Sequence, residues 1–255
     1  SVWPRMQMVF QDPYSSLNPR KTLENTLGEI LSIHRIVPRG EINEEIDRIL
    51  CLIGLSPKLR SRFPYEFSGG QRQRISIARA VAMRPKFLIC DEAVSALDVS
   101  IQAQILGLFR ELRGNLGLTY LFIAHGLGAV KYISDRIAVM YLGKIVELAP
   151  TELIFSDPRH PYTQALLDAF PDPDPRRRGR GKIVLSSAVP GPTSGVEPSL
   201  TGAGLPEDSG CRFRTRCPFS QSRCREDEPE LLDNGGHFTA CHFEISRSDW
   251  NRVKP

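Results

Sequence analysis

Apolar positions in the first 150 residues form helical stripes and short continuous runs. One stripe with the 3.6-residue period contains Ile42, Ile46, Ile49, Leu50 and Ile53. Gly54 follows this stripe and predicts the end of a helix. A second predicted helix covers Gln71 to Met83 and stops before Pro85, and a third runs from Ser100, as its N-cap, to about Leu116.

Two runs, the first of them wholly apolar, are typical of buried strands. They are Phe87 to Cys90 and Thr119 to Ala124. A further helix and strand pair is predicted over about Leu127 to Val146. Because strands and helices alternate, the sequence predicts an α/β domain with a parallel sheet.

The character of the chain changes after residue 170. Prolines and glycines recur through residues 171–210, which predicts a linker. The basic cluster from Arg176 to Lys182 lies within it, and we favour a solvated segment there over a contact with acidic lipid head groups. Elsewhere the basic residues are scattered, so we expect no nucleic-acid partner.

Length and charge narrow the class of protein further. The chain has 255 residues and a net charge of +4, the balance of an ordinary globular protein. Its richest apolar run, Ile137 to Leu142, is far shorter than the roughly 18 residues that a membrane-spanning helix needs. No secretion leader follows Ser1, and the start of the sequence is interpreted as truncated.

Two segments carry candidate chemistry. The first, from Phe67 to Arg74, places Ser-Gly-Gly at the start of a helix, where backbone N–H groups suit a phosphate; taken alone, the segment is better explained as a plain turn and helix cap. The second is the pair Asp91 and Glu92 at the end of a buried strand. One acid that holds Mg²⁺ and another that orients an attacking water is an arrangement for nucleotide hydrolysis, and the alternative is an acidic strand-to-loop turn.

Together these segments resemble the ATPase subunits of ATP-binding-cassette (ABC) transporters, in the oligopeptide/dipeptide importer branch. Phe67 to Gln71 resembles the signature, Phe87 to Glu92 the Walker B strand with its glutamate, and Ser95 to Asp98 the D-loop. His125 resembles the switch histidine, and Val9 to Pro19 the Q-loop around Gln11.

The resemblance implies a fold and a division of roles. It implies a parallel-sheet P-loop NTPase core lacking its N-terminal part, a helical signature subdomain and a small irregular Cys-rich C-terminal extension. Glu92, His125 and Gln11 would be catalytic, and Asp91 and Gln11 would hold Mg²⁺. The residues expected to contact ATP are Ser68, Gly69, Gly70, Gln71, Asp91 and Asp98.

The resemblance also implies partners. A second ATPase subunit would pair head to tail, so that each signature meets the partner's ATP, and the segment after Gln11 would touch transmembrane permease subunits. A substrate-binding protein would act indirectly, and the location would be the cytoplasmic face of the membrane, as a peripheral protein.

Three departures from the family pattern stand out. Ala93 replaces the usual Pro and Gly126 the usual Asp, and the glycine is expected to loosen the backbone beside His125. No G-x-x-x-x-G-K-[ST] phosphate loop occurs in the sequence, so we expect the chain alone to be inactive. The alternatives are a fragment or degenerate copy without autonomous ATPase activity, or a soluble non-transport ABC ATPase acting on ribosomes or DNA.

Four cysteines lie close together near the C-terminus. They are Cys211, Cys217, Cys224 and Cys241, and in an unexported chain they argue for metal rather than disulfides. They resemble the C-terminal extension of peptide-importer ATPases, which implies a [4Fe–4S] cluster in preference to Zn²⁺, with metal-free thiols as a third option. The predicted organisation is a partial ATPase domain over 1–150 and a C-terminal region over 151–255, with the cysteine cluster at 211–241.

Overall fold

A computed structural model of the protein describes residues 5–169, 210–243 and 245–253. They form two compact units that divide between Ile133 and Ser134. The predicted domain boundary at residue 150 stays a prediction. Nearly all of the predicted linker 171–210, with the basic cluster Arg176 to Lys182, lies outside the described residues.

A parallel three-stranded sheet organises the first unit. Its strands are β1 (Met6–Val9), β2 (Phe87–Asp91) and β3 (Thr119–Ile123), in the order β1-β2-β3. The helices are α1 (Pro13–Ser16), α2 (Leu23–Ile33), α3 (Ile42–Leu52), α4 (Gly69–Val81), α5 (Val99–Leu116) and α6 (Leu127–Ile133). Short 3₁₀ turns cover Arg39–Glu41, Pro57–Leu59 and Pro64–Glu66.

The core of this unit lies on the sheet and between the helices. The central strand β2 buries Leu88 and Cys90 completely. Phe109 of α5 meets the rings of Tyr120 and Phe122 of β3 edge to face, with centroids 5.6 and 5.7 Å apart. The α/β class with a parallel sheet is therefore confirmed.

Two details of the sequence prediction were wrong. The N-cap of α5 is Asp98 and not Ser100, because Asp98 Oδ1 accepts the Ile101 N–H at 3.0 Å. Ser100 lies inside the helix and donates its hydroxyl to the same oxygen at 2.7 Å. The strand predicted after α6 does form, but it belongs to a second, antiparallel sheet.

That second sheet organises the second unit. Its strands are β4 (Arg136–Tyr141), β5 (Lys144–Pro150), β6 (Leu232–Asp233) and β7 (Phe238–Thr239), in the order β4-β5-β7-β6. Leu142 and Gly143, at φ 46° and 80°, join β4 to β5 in a two-residue hairpin. The helices are α7 (Thr151–Ser156), α8 (Pro161–Asp168), α9 (Arg223–Glu226) and α10 (Arg247–Val253). None of the helices in the described ranges has the length and apolar character to cross a bilayer.

Candidate active site

The predicted catalytic residues meet at one edge of the parallel sheet. Gln11 lies just beyond the end of β1, Asp91 ends β2, Glu92 follows it, and His125 lies just beyond β3. The strands are in register, with Val9 opposite Cys90. Because the carboxyl ends of parallel strands share an edge, residues distant in sequence come together where ligands bind in such folds.

Glu92 is the centre of this group. Its Oε2 accepts a hydrogen bond from Gln11 Nε2 at 2.8 Å, and its Oε1 is 2.6 Å from His125 Nε2. The Glu92 side chain is 19% exposed, whereas that of His125 is 84% exposed. A sheltered carboxylate is thus oriented by an amide on one oxygen and an accessible imidazole on the other.

The backbone at Glu92 adopts a conformation that non-glycine residues rarely take. Its φ is 47°, in the left-handed region, which costs about 1–2 kcal/mol for an L-residue. The conformation is held by three hydrogen bonds: Glu92 N–H to Ile123 O at 2.9 Å, and Ser95 N–H and Oγ–H to Glu92 O at 3.0 and 2.9 Å. Strain maintained in this way is typical of functional positions.

The signature residues form the N-terminus of α4. Ser68 is the N-cap: its Oγ accepts the Gln71 N–H at 3.4 Å, while Gln71 Oε1 accepts the Ser68 N–H at 3.0 Å. The first turn of a helix has N–H groups without intrahelical partners. Gly69 and Gly70 place two of these at the start of a 13-residue helix, an arrangement that suits an anion.

The arginines of α4 have structural partners that the sequence analysis did not identify. Arg72 donates to Pro64 O and Tyr65 O at 2.7 and 3.0 Å, and Arg74 donates to Ile53 O at 2.7 Å. Arg79 donates to Ser16 O. These bonds fix the signature helix to three neighbouring segments, and no sequence motif indicates which carbonyl each arginine reaches.

Gly126 has a clear structural setting. Its carbonyl accepts the Val130 N–H at 3.2 Å, so it is in the N-cap position of α6. Glycine at this position costs only a few tenths of a kcal/mol relative to aspartate. A Cβ atom at Gly126 would contact nothing within 4 Å, so the backbone there accepts a side chain. Ala93, the other departure, is buried.

The four C-terminal cysteines converge on one cavity. All are free thiols, and the cavity they line measures about 10 Å³, room for roughly one water-sized sphere. Aromatic side chains from Phe213, Phe219 and Phe243 complete its apolar lining. In the described part of the chain, no three or more His, Cys, Asp or Glu side chains are arranged to hold a metal ion. The donor set suits a soft metal, and these side chains would have to rearrange to hold one.

Burial disfavours the thiolate form at three of these four cysteines, which are Cys211, Cys217 and Cys241. Burial, with smaller contributions from the neighbouring cysteines of the cluster, raises the pKa of Cys217 to about 12. Burial also raises the pKa of Cys211 and of Cys241. Since metals bind the thiolate, a cation would have to displace these protons.

A buried polar cluster in the second unit was missed by the sequence analysis. Glu147 of β5 and His237 are 0% and 1% exposed, with Glu147 Oε1 2.7 Å from His237 Nε2. Glu147 also accepts the Arg159 and His160 N–H groups at 2.7 and 3.0 Å. His160 lines the cysteine cavity, and burial lowers its pKa to about 4. These contacts join residues too far apart in sequence for a local pattern to indicate them.

Two family models match parts of the chain. Residues 2–95 match the family model described as ABC transporter, and residues 146–224 match that described as oligopeptide/dipeptide transporter, C-terminal region. The oligopeptide transport ATP-binding protein AppF of Bacillus subtilis (strain 168) is 47% identical over 247 residues, covering 95% of this chain and 71% of AppF. The chain belongs to the oligopeptide/dipeptide family of ABC transporter ATP-binding subunits.

Other members and one solved structure extend the comparison. The putative oligopeptide transport ATP-binding protein YkfD of the same organism is 46% identical over 253 residues, which is 98% of this chain and 73% of YkfD. The structure of cbiO1 from Clostridium perfringens, part of the ABC transporter complex cbiONQ, superposes with a TM-score of 0.55. It is 27% identical and covers 60% of each chain. Membership of this family implies the use of ATP and Mg²⁺.

Proposed function

We propose that the protein is the ATP-hydrolysing, energy-coupling subunit of an importer for peptides or related small solutes. The observation that carries the proposal is the contact of Gln11 and His125 with the two carboxylate oxygens of Glu92. AppF is an oligopeptide transport ATP-binding protein and YkfD a putative one, which supports the peptide class of solute.

Each residue of the group has a distinct role in this proposal. Glu92 is the general base that orients and deprotonates the attacking water, and its sheltered position limits competing contacts with solvent. His125 contacts the second carboxylate oxygen of Glu92. Its exposed imidazole is also accessible to a γ-phosphate, whose charge it can stabilise. Mg²⁺, when bound, would neutralise phosphate charge. Asp91 and Gln11 have the carboxylate and amide oxygens that this hard cation prefers.

The signature residues serve a second nucleotide. Ser68, Gly69, Gly70 and Gln71 contact the γ-phosphate of the ATP held by a second ATPase subunit, and Asp98 lies at the interface with that subunit. This pairing, together with transmembrane permease subunits and indirectly a binding protein, places the protein on the cytoplasmic face of the membrane as a peripheral subunit. Family membership and the capped N-terminus of α4 support this assignment.

Peptide-stimulated ATPase activity of the complete subunit, reconstituted with its permease partners in proteoliposomes, tests the proposal. His125→Ala removes the imidazole at Glu92 and is expected to lower turnover by at least about tenfold. His34→Ala, at an exposed histidine on the C-cap of α2, is the matched control and should keep full activity. Equal activity of the two variants, or no stimulation by any peptide mixture, contradicts the proposal.

We further propose that Cys211, Cys217, Cys224 and Cys241 hold a metal centre, an iron–sulfur cluster in preference to zinc. The convergence of four thiols on one apolar cavity supports this. Metal analysis and EPR of anaerobically purified protein distinguish the outcomes: iron with sulfide, stoichiometric zinc, or neither. Cys217→Ser should lose the metal, whereas Cys51→Ser, at an exposed thiol, should retain it. Metal-free wild-type protein contradicts the proposal.

A further inference from the structure

The second glycine of the signature lies against the helix that follows the D-loop. A Cβ atom built on Gly70 would be 2.5 Å from Cγ2 of Ile101, closer than real Cβ contacts come. A Cβ atom on the adjacent Gly69 would meet nothing within 4 Å. The two glycines therefore have different environments within the chain: one faces open space and the other faces a side chain.

Ile101 cannot easily move away. Its side chain is β-branched, and in a helix such side chains are nearly restricted to one χ1 rotamer. Its backbone N–H is fixed by Asp98 Oδ1 at 3.0 Å, and its side chain packs against the hydrophobic core. A methyl group at position 70 would thus push against a stiff partner and not against the free end of a flexible chain.

We propose that Ile101 is a positioning residue that locks the signature to the D-loop. Its Cγ2 methyl occupies the space that Gly70 leaves open, so that Ser68 to Gln71 and the Asp98 cap move as one body. Gly70 is then required by packing inside this chain as well as by any approach of a phosphate. The inference rests on the proposed function, because the signature and the D-loop act together only if two ATPase subunits close on ATP.

Thermal unfolding of the chain tests the contact without any nucleotide. Gly70→Ala overpacks the contact and should lower the Tm by about 5 °C, whereas Gly69→Ala should not lower it. The double variant Gly70→Ala/Ile101→Ala lacks the Ile101 Cγ2 methyl. Its Tm should therefore lie close to the Tm of Ile101→Ala alone. Adding Ile101→Val to Gly70→Ala keeps both γ-carbons and should not restore the Tm.

ATP turnover in the complete, assembled subunit tests the positioning role. Ile101→Ala should reduce kcat several-fold with the KM for ATP unchanged, because this chain's signature acts on closure over ATP held elsewhere, and Ile101→Val should keep normal kcat. The proposal is overturned if Gly70→Ala is as stable as Gly69→Ala, or if Ile101→Ala and Ile101→Val restore the stability of Gly70→Ala equally. It is also overturned if the single variants Ile101→Ala and Ile101→Val have the same kcat. Failure of the site assignment would instead appear as normal turnover after loss of Glu92, with the stability pattern intact.

Discussion

Replacing Glu92 by Gln in the complete protein tests the proposed role of the carboxylate as a base. The amide has the same shape, and its oxygen can accept from Gln11 Nε2 as Glu92 Oε2 does at 2.8 Å. Its NH₂ group can donate to His125 Nε2 in the tautomer that leaves this nitrogen unprotonated, where Oε1 now lies 2.6 Å away. The variant therefore keeps the geometry of the site and loses its ability to take a proton.

The expected magnitude follows from that single loss. General-base catalysis contributes about 10²- to 10⁴-fold, so kcat should fall by at least about 100-fold, or about 3 kcal/mol in the barrier. Nucleotide binding should persist, and an ATP-bound dimer should accumulate. Stability should change little, because the strained φ of Glu92 is held by backbone and Ser95 contacts that the substitution leaves in place.

Single-turnover ATPase assays and size-exclusion chromatography with light scattering measure the two effects. Glu92→Asp is the control, since it keeps the charge but withdraws the carboxylate from Gln11 and His125. Glu92→Asp should lose turnover but should trap less of the ATP-bound dimer than Glu92→Gln does. Near-normal hydrolysis by Glu92→Gln would show that the hydrogen bonds to Gln11 and His125 suffice without a base, contrary to this prediction.

Three further predictions concern the chain alone. The isolated 255-residue chain should not bind Mg-ATP tightly, because it has no phosphate loop, and calorimetry that finds tight binding contradicts this. Metal-free protein should lose up to about 3 kcal/mol of its free energy of unfolding as pH falls from 6.5 towards 4. Burial lowers the pKa of His160 to about 4 in the folded protein, so over this pH range the histidine takes up a proton more readily in the unfolded chain. Trp250 fluorescence in a Trp3→Phe background reports this loss, which His160→Gln should reduce. Gly210→Ala should destabilise the second unit by about 1–3 kcal/mol in denaturant titrations, because φ is 105° and the added Cβ would lie 2.6 Å from Cys224 O; an unchanged midpoint is the contrary result.

The convergence of the proposed catalytic residues was predictable because it depends on local order along the chain. Glu92 and His125 each follow a buried apolar run, and parallel strands bring their ends together whatever the helices between them do. Gln11 was identified only through its family resemblance, because β1 is short and no periodic pattern marks it. The strained φ of Glu92 has no sequence signal, since nothing in the order of residues reports the Ile123 carbonyl that holds it.

The errors have physical causes. Asp98 and Ser100 are both good N-cap residues, so their order alone does not decide which one caps α5. The second sheet was missed because Leu142 is an unusual residue for a turn with positive φ, and only Gly143 signals the hairpin. Glu147 and His237 pair across 90 positions of the chain, a contact that tertiary packing alone determines.

Helix α4 connects the segment around Ser16 to the signature through a rigid element. Near its C-terminal end, Arg79 and the Ser76 hydroxyl both hold Ser16, in the segment expected to face the permease, while Ser68 stands at the opposite end. A 13-residue helix spans about 20 Å and does not bend easily. A displacement of the segment around Ser16 should therefore move α4 as a rigid body and shift the signature by a similar distance.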